Sequence, residues 1–248
     1  MITDLELERH KRLRELALGY RIFGALRWGD LGDGHITARD PERTDCFWVL
    51  GAFVSFHRAT MDDLILIGPD GTAIEGGPAY NRTAYNIHWP VHEARPDIVA
   101  AAHTHTGWST PFSASRKHLL PISQEACMFY DDHSVFDDEE VQVQSVAGGE
   151  RIATALDGNR AVILANHGFL SVGASVAEAV AAFVVMDRVA EVQMKAPDAV
   201  PISEEGARRA KAGLGPARAL EAGFRYLVDR HIGDPAVVGP PAVPAAAD

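Results

Sequence analysis

The sequence predicts an α/β protein on two observations. Short apolar runs bounded by turn residues, such as Leu64-Ile65-Leu66-Ile67, Ile98-Val99-Ala100-Ala101-Ala102 and Ala161-Val162-Ile163-Leu164-Ala165, have the length and composition of buried strands. Between them lie segments of good helix formers with apolar residues at helical spacing. At 248 residues the chain is long enough to bury a substantial core.

Taken in order, Leu5 to Leu26 reads as one amphipathic helix, with Leu13, Leu16, Leu18 and Ile22 apolar. Asp45 to Phe56 carries Phe, Trp and Val and reads as strand. The run Leu64 to Ile67, then Pro69-Asp70-Gly71, then Thr72-Ala73-Ile74, is a hairpin signature. Thr83 to Ala94 reads as helix, with Pro90 expected to kink it or leave an irregular turn. Ser175 and Glu178 form a capping box that opens a long helix to about Lys195. Asp131 to Glu140 holds six acidic residues in ten and reads as a solvated loop. The expected organisation is one domain over residues 1–233, followed by a mobile Pro/Ala-rich tail over residues 234–248.

Composition removes several function classes. A net charge of −11 leaves no basic footprint for nucleic acid. No apolar stretch reaches membrane-spanning length, and the charged N-terminus is not a signal peptide. Two cysteines, Cys46 and Cys127, make no disulfide framework and suit a reducing cytoplasm, the expected location.

The chemistry concentrates in histidines. His103-Thr104-His105 ends the run Ile98 to Ala102, and in a strand residues i and i+2 share a face. His167 follows the run Ala161 to Ala165 and precedes Gly168. Three imidazoles on two strand ends make a three-nitrogen site for a divalent transition metal, with coordination positions left open. The alternative is that they are hydrogen-bonded core histidines. Their context resembles the class II aldolase and adducin head-domain family, through Gly34-His35-Ile36-Thr37-Ala38-Arg39, Ala94-Arg95-Pro96-Asp97, His103-Thr104-His105 and Asn166-His167-Gly168. The resemblance runs from the first helix to about Glu191. It implies a three-layer α/β/α sandwich with a central mixed or antiparallel sheet. It also implies metal ligation by His103, His105 and His167, with one Zn2+ or Fe2+ per subunit, and a homo-oligomer, commonly a tetramer. A site completed at a subunit interface would then draw on residues such as Arg225 or Tyr226.

The chain departs from the sugar-phosphate aldolases of that family. Their acid/base Glu follows a Ser-Ser pair ahead of the first metal histidine. Counting back 19 residues from His103 reaches Ala84, preceded by Arg82-Thr83. The Gly-Asn of a phosphate contact has become Gly34-His35. Glu125 is the first candidate to replace the missing acid/base group, with His35 and His88 as others. Arg82, Thr83, Trp108 and Tyr130 are candidate substrate contacts, and His133 could join them. Trp48, Phe53, Phe56 and Phe112 either line an aromatic pocket or pack in the core.

Three functions compete. The first is a metal-dependent lyase that cleaves or decarboxylates a small, non-phosphorylated oxo or hydroxy acid. The second is a non-haem Fe(II) oxygenase, because the same superfamily contains an oxidative decarboxylase of a prenylated hydroxyphenylpyruvate in aminocoumarin pathways. The third is a non-catalytic adducin-like module. The expected partners are a small-molecule substrate and further copies of the chain, with no nucleic acid and no membrane.

Overall fold

The protein is described by a computed structural model covering residues 3–240. Helix α1 (Asp4–Ala25) opens at Thr3, whose hydroxyl accepts from the Glu6 N–H while the Glu6 carboxylate accepts from the Thr3 N–H. Eight strands follow among the described residues: β1 (Gly34–Arg39), β2 (Phe47–Leu50), β3 (Leu64–Ile67), β4 (Ala73–Glu75), β5 (Ala100–Thr104), β6 (His133–Phe136), β7 (Ala161–Leu164) and β8 (Gly168–Gly173). They form one sheet in the order β4-β3-β2-β1-β5-β8-β7-β6. Every neighbouring pair is antiparallel except β6 with β7.

Helices cover both faces, because successive strand residues point to opposite sides. Ile36, Ala38, Ala100, Ala102, Ile163 and Phe169 pack against α1, α5 (Val176–Lys195) and α7 (Ala217–His231), joined by Phe112 of the short α3 (Ser109–Ser113). The intervening residues, Ala101, Val162, Leu164, Leu170 and Val172, pack against α2 (Arg82–Ala94) and α4 (Val146–Leu156). This is the three-layer arrangement. A sixth helix, α6 (Glu204–Leu214), lies against the 3-10 turn Glu125–Phe129. No helix of the described residues is long and apolar enough to cross a membrane. Cys46 and Cys127 are buried and unpaired.

Several boundaries differ from expectation. The strand expected over Asp45–Phe56 is cut to Phe47–Leu50, because the chain turns at Phe53 with φ of 66°. Strand β5 starts at Ala100 and runs through His103, so the apolar run marks burial rather than pairing. Pro90 sits inside α2, which continues through to Ala94. The acidic stretch expected as loop carries β6 at its centre, since His133–Phe136 finds a parallel partner in β7. The tail expected from Asp234 onward is docked at its start. Pro235–Val238 forms a 3-10 turn, Val238 is fully buried, and the Gly239 and Pro240 carbonyls accept from Arg14 and His10. Backbone carbonyls held by side-chain donors of α1 need no side-chain periodicity. The rest of that tail, residues 241–248, lies outside the described residues.

Two buried polar anchors hold β1. Asp40, at its end, accepts two hydrogen bonds from Arg9, one from the Trp48 indole and two from the Glu42 and Arg43 N–H groups. Burial pushes its carboxyl pKa up, but these donors outweigh burial and hold it at about 2. At the other end, β1 and β2 stop pairing beyond Thr37 and Val49. There the buried Tyr20 hydroxyl enters the gap, donating to the Ile36 carbonyl at 2.7 Å and accepting from the Ile36 and Leu50 N–H groups at 2.8 and 3.3 Å. Tyr20→Phe strips three buried backbone groups of their partner. It is expected to cost about 1–3 kcal/mol in a urea titration, against less than about 0.5 kcal/mol for an exposed substitution.

Candidate metal centre

The site is assembled where β1, β5 and the β7–β8 turn meet. The β1–β5 register sets His35 directly opposite His103 and Gly34 opposite Thr104. His103 and His105 follow Ala101 in alternation, so both imidazoles emerge on the α2/α4 side of the sheet. The third imidazole comes from the tight turn Ala165-Asn166-His167 between paired Leu164 and Gly168. Asn166 adopts φ of 57°, and the His167 N–H closes the turn on the Leu164 carbonyl at 3.0 Å. Gly168, at φ of +157°, lies beneath the site. A Cβ there would stand 3.2 Å from the Thr104 carbonyl oxygen and 3.7 Å from both the His103 and His105 rings.

The ligand nitrogens of His103, His105 and His167 lie within 4.8 Å of one another. His103 Nδ1 is 2.7 Å from the Phe169 carbonyl oxygen, which can only accept, so Nδ1 carries the proton and Nε2 is free. Asp33 Oδ2 lies 3.8 Å from His105 Nδ1 and favours the same arrangement there. Burial, followed by the neighbouring imidazoles, holds the His103 pKa well below its ordinary value. Burial and then His105 hold His167 at about 4. His103 and His167 are therefore neutral near pH 7, the form that binds metal. Three convergent imidazole nitrogens facing an open cavity fit a zinc or non-haem iron ion.

The cavity has a volume of about 370 Å³ and is lined by the three histidines with Asp33, Gly34, His35, Asn81, Thr83, Ile87, Thr110 and Asn166. Val141, Gln142 and Val143 form its outer wall. Asp33 is the one carboxylate among the described lining residues, and no lysine or arginine is among them. A larger cavity of about 590 Å³, between α1 and α7, holds no such cluster of ligands.

Of the residues singled out in the sequence, His35, Thr83, His103, His105 and His167 line this cavity. The others do not. Glu125 is exposed at the start of its 3-10 turn, on the segment that packs against α6. Arg82 turns away to donate to the Gly71 carbonyl and the Tyr80 hydroxyl, and its guanidinium stacks on Tyr85. Trp108 packs on the α1/α5 core beneath Lys195. Tyr130 sits under Arg208 in a separate surface cavity. Ala84 is buried among Phe47, Val49, Ile65 and Ile67, so the cavity-facing positions of α2 are Thr83 and, one turn on, Ile87. Ala84, reached by the count from His103, thus lies outside the cavity lining. His88 lies wholly buried behind His35, and His133 pairs with His118 and the Phe129 carbonyl. Trp48, Phe56 and Phe112 are core residues, whereas Phe53 is fully exposed.

Asp33 is the functional candidate that sequence reasoning missed. Its signal is positional: Asp33-Gly34-His35 alternates like His103-Thr104-His105, and the antiparallel register carries Asp33 toward His105. That match is visible only once the two segments are known to pair.

Burial also holds His88 well below its ordinary pKa and His92 at about 3. Above about pH 6.5 both states hold these rings neutral. Below it the unfolded chain binds protons that the folded chain refuses, so stability falls until the folded pKa is reached. Denaturant midpoints should therefore drop between about pH 7 and pH 5, at up to about 1.4 kcal/mol per pH unit for each buried histidine. A flat profile would mean that these rings reach solvent in the folded protein.

Comparison with known proteins agrees with this geometry. A sequence profile of the Class II Aldolase and Adducin N-terminal domain matches residues 14–194. The 4-hydroxy-3-prenylphenylpyruvate oxygenase/4-hydroxy-3-prenylbenzoate synthase of Streptomyces roseochromogenus subsp. oscitans is 38% identical over 204 residues, covering 80% of this chain and 74% of that protein. Decarboxylase NovR of Streptomyces niveus is 39% identical over 191 residues, covering 76% and 70%. Among solved structures, L-fuculose 1-phosphate aldolase from Glaciozyma antarctica PI12 superposes with a TM-score of 0.84 at 32% identity over 93% of each chain. With the match running from within α1 almost to the end of α5, the chain belongs to the class II aldolase and adducin N-terminal domain family.

Proposed function

We propose that the chain is a metal-dependent carbon–carbon lyase acting on a small, non-phosphorylated oxo or hydroxy acid, by decarboxylation or retro-aldol cleavage. One observation carries this reading: three imidazoles converge in a cavity that offers a carboxylate and a fourth histidine but no lysine or arginine among the described lining residues. His103, His105 and His167 would hold one divalent ion, zinc or iron by the donor set. When bound, such an ion polarises a carbonyl oxygen beside it and stabilises the negative charge that develops as the adjacent carbon–carbon bond breaks. The N-terminus of α2, at Asn81 to Thr83, together with His35, offers hydrogen-bond donors to an anionic group such as the substrate carboxylate. Asp33 is the group placed to take a proton from the substrate or return one to carbon. The wall from Val141 to Val143 limits water at the reacting carbon.

A second reading is an Fe(II)-dependent oxidative decarboxylation of an arylpyruvate-like acid. The oxygenase and decarboxylase for which the two Streptomyces relatives are named support it, as do the apolar side chains of Ile87, Val141 and Val143 in the cavity. Retention of all three histidines argues against a non-catalytic module. We also propose a homo-oligomer, a tetramer by family expectation, since Leu31, Phe53 and Tyr226 stand 95%, 104% and 76% exposed in the single chain.

Elemental analysis of the purified protein should find one zinc or iron per chain, and Ala in place of His103, His105 or His167 should abolish retention. Equal metal content in those variants would end the proposal. Asp33→Asn is expected to keep the metal and lower kcat by about 10²-fold or more on the true substrate. An unchanged rate would remove Asp33 from proton transfer. Phenylpyruvate-type acids should be turned over and sugar phosphates should not. Oxygen uptake stoichiometric with turnover would select the oxidative reading, and its absence the lyase.

A further inference from the structure

Behind the cavity runs a chain of buried polar groups that no ligand role accounts for. His35 Nδ1 is 3.0 Å from His88 Nε2, His88 Nδ1 is 2.7 Å from Thr37 Oγ1, and Thr37 Oγ1 is 2.8 Å from His92 Nε2. All four side chains are at most 2% exposed. Burial keeps the three rings neutral, so each carries one N–H and one bare nitrogen. The Thr37 hydroxyl has one proton and, among the described residues, two partners, both of them rings. It can donate to only one of them, while its oxygen can accept from either or both.

Three proton orders satisfy every link, and one of them, in which Thr37 accepts from both rings, strands its own buried hydroxyl hydrogen with no acceptor among the described residues; two remain. In one, each hydrogen bond points away from the cavity, every ring is protonated at Nδ1, and His92 ends the chain with a buried Nδ1–H. In the other, every bond points toward the cavity and every ring is protonated at Nε2. His92 Nδ1 is fully buried and has no partner. An orphaned buried N–H is the rarer and costlier end. A bare nitrogen there is the lesser penalty, and Nε2–H is the intrinsically preferred tautomer of a neutral histidine side chain. Both considerations select the order that runs toward the cavity.

We propose that His92, Thr37 and His88 are positioning residues that lock His35 in its Nε2–H tautomer. His35 then offers the cavity a fixed hydrogen-bond donor for a carboxylate oxygen of the substrate. This rests on the reading of the cavity as an oxo-acid site. His35 Nε2 makes no hydrogen bond among the described residues, and its ring lines the cavity 5.1 Å from that of His103. A protonated Nε2 has no lone pair to give, so His35 cannot become a fourth ligand, and the site keeps its open positions.

The test is the long-range 1H–15N correlation spectrum of His35 in the zinc-loaded, 15N-labelled protein, with phenylpyruvate as the carboxylate probe. The wild type should show His35 protonated at Nε2 and bare at Nδ1. Thr37→Val should scramble that pattern and weaken phenylpyruvate binding by about tenfold, and Thr37→Ser should restore both. A wild-type His35 protonated at Nδ1, or an unchanged pattern in Thr37→Val, would overturn the proposal. If Thr37→Val fails to fold, the wild-type spectrum alone decides the tautomer. A wild type with the expected tautomer that does not bind phenylpyruvate overturns the carboxylate role. Loss of zinc from the wild type would sink the metal reading instead, and the metal-free spectrum would still report the tautomer.

Discussion

The antiparallel pairing of β1 with β5 places His35 opposite His103 and carries Asp33 toward His105. A slip of one residue in that register would turn His103 and His105 toward α1 and α5 and put Thr104 in the cavity. The register is held from both ends of β1, by the Tyr20 hydroxyl at Ile36 and by Asp40 with its five donors. It is also held by contact. A Cβ at Gly34, where φ is +119°, would stand 2.5 Å from the Thr104 hydroxyl and 2.6 Å from the His103 carbonyl oxygen. The site is therefore built where this register is fixed: strand geometry directs His103 and carries His105 just past the end of β5, and the tight β7–β8 turn supplies His167.

Burial does two things at this centre. It keeps His103 and His167 neutral, which readies them for a metal and removes the mutual repulsion that their protonation would create. It also makes each unpaired polar atom costly, which is why the rings are tied to specific acceptors such as the Phe169 carbonyl. The segment beyond His105 is fixed in the same way. Asp187 of α5 accepts from the Thr106 hydroxyl and from the Ser109 N–H, and burial raises its carboxyl pKa to about 6 despite those donors. That tie joins the metal-site strand end to α5 on the opposite face.

The family fold carries several chemistries, so function must be argued from the side chains in the cavity. The histidine triad speaks for a metal. The absence of Lys and Arg among the described lining residues speaks about the substrate's charge. The position of Asp33 speaks about where protons can move. These are separate observations, and each can fail without the others.

Much of this was legible in the sequence, for a local reason. Strand alternation alone puts His103 and His105 on one face, and Asn166-His167-Gly168 is a turn whose residue types match its backbone angles. The apolar runs marked the central strands because buried strands need such residues, although pairing moved their ends by up to two positions. Non-local partnership was not legible. Asp33, a turn residue by composition, became a site residue because β1 pairs with β5. Arg82, Trp108, Tyr130 and Glu125 were near the motifs in sequence, yet each is claimed elsewhere or lies outside the cavity lining. The chain from His35 through His88 and Thr37 to His92 spans two elements some fifty residues apart. Local sequence determines which way a side chain leaves its own strand or helix. Only tertiary packing decides what it meets there, because hydrogen-bond partners are chosen by distance in space.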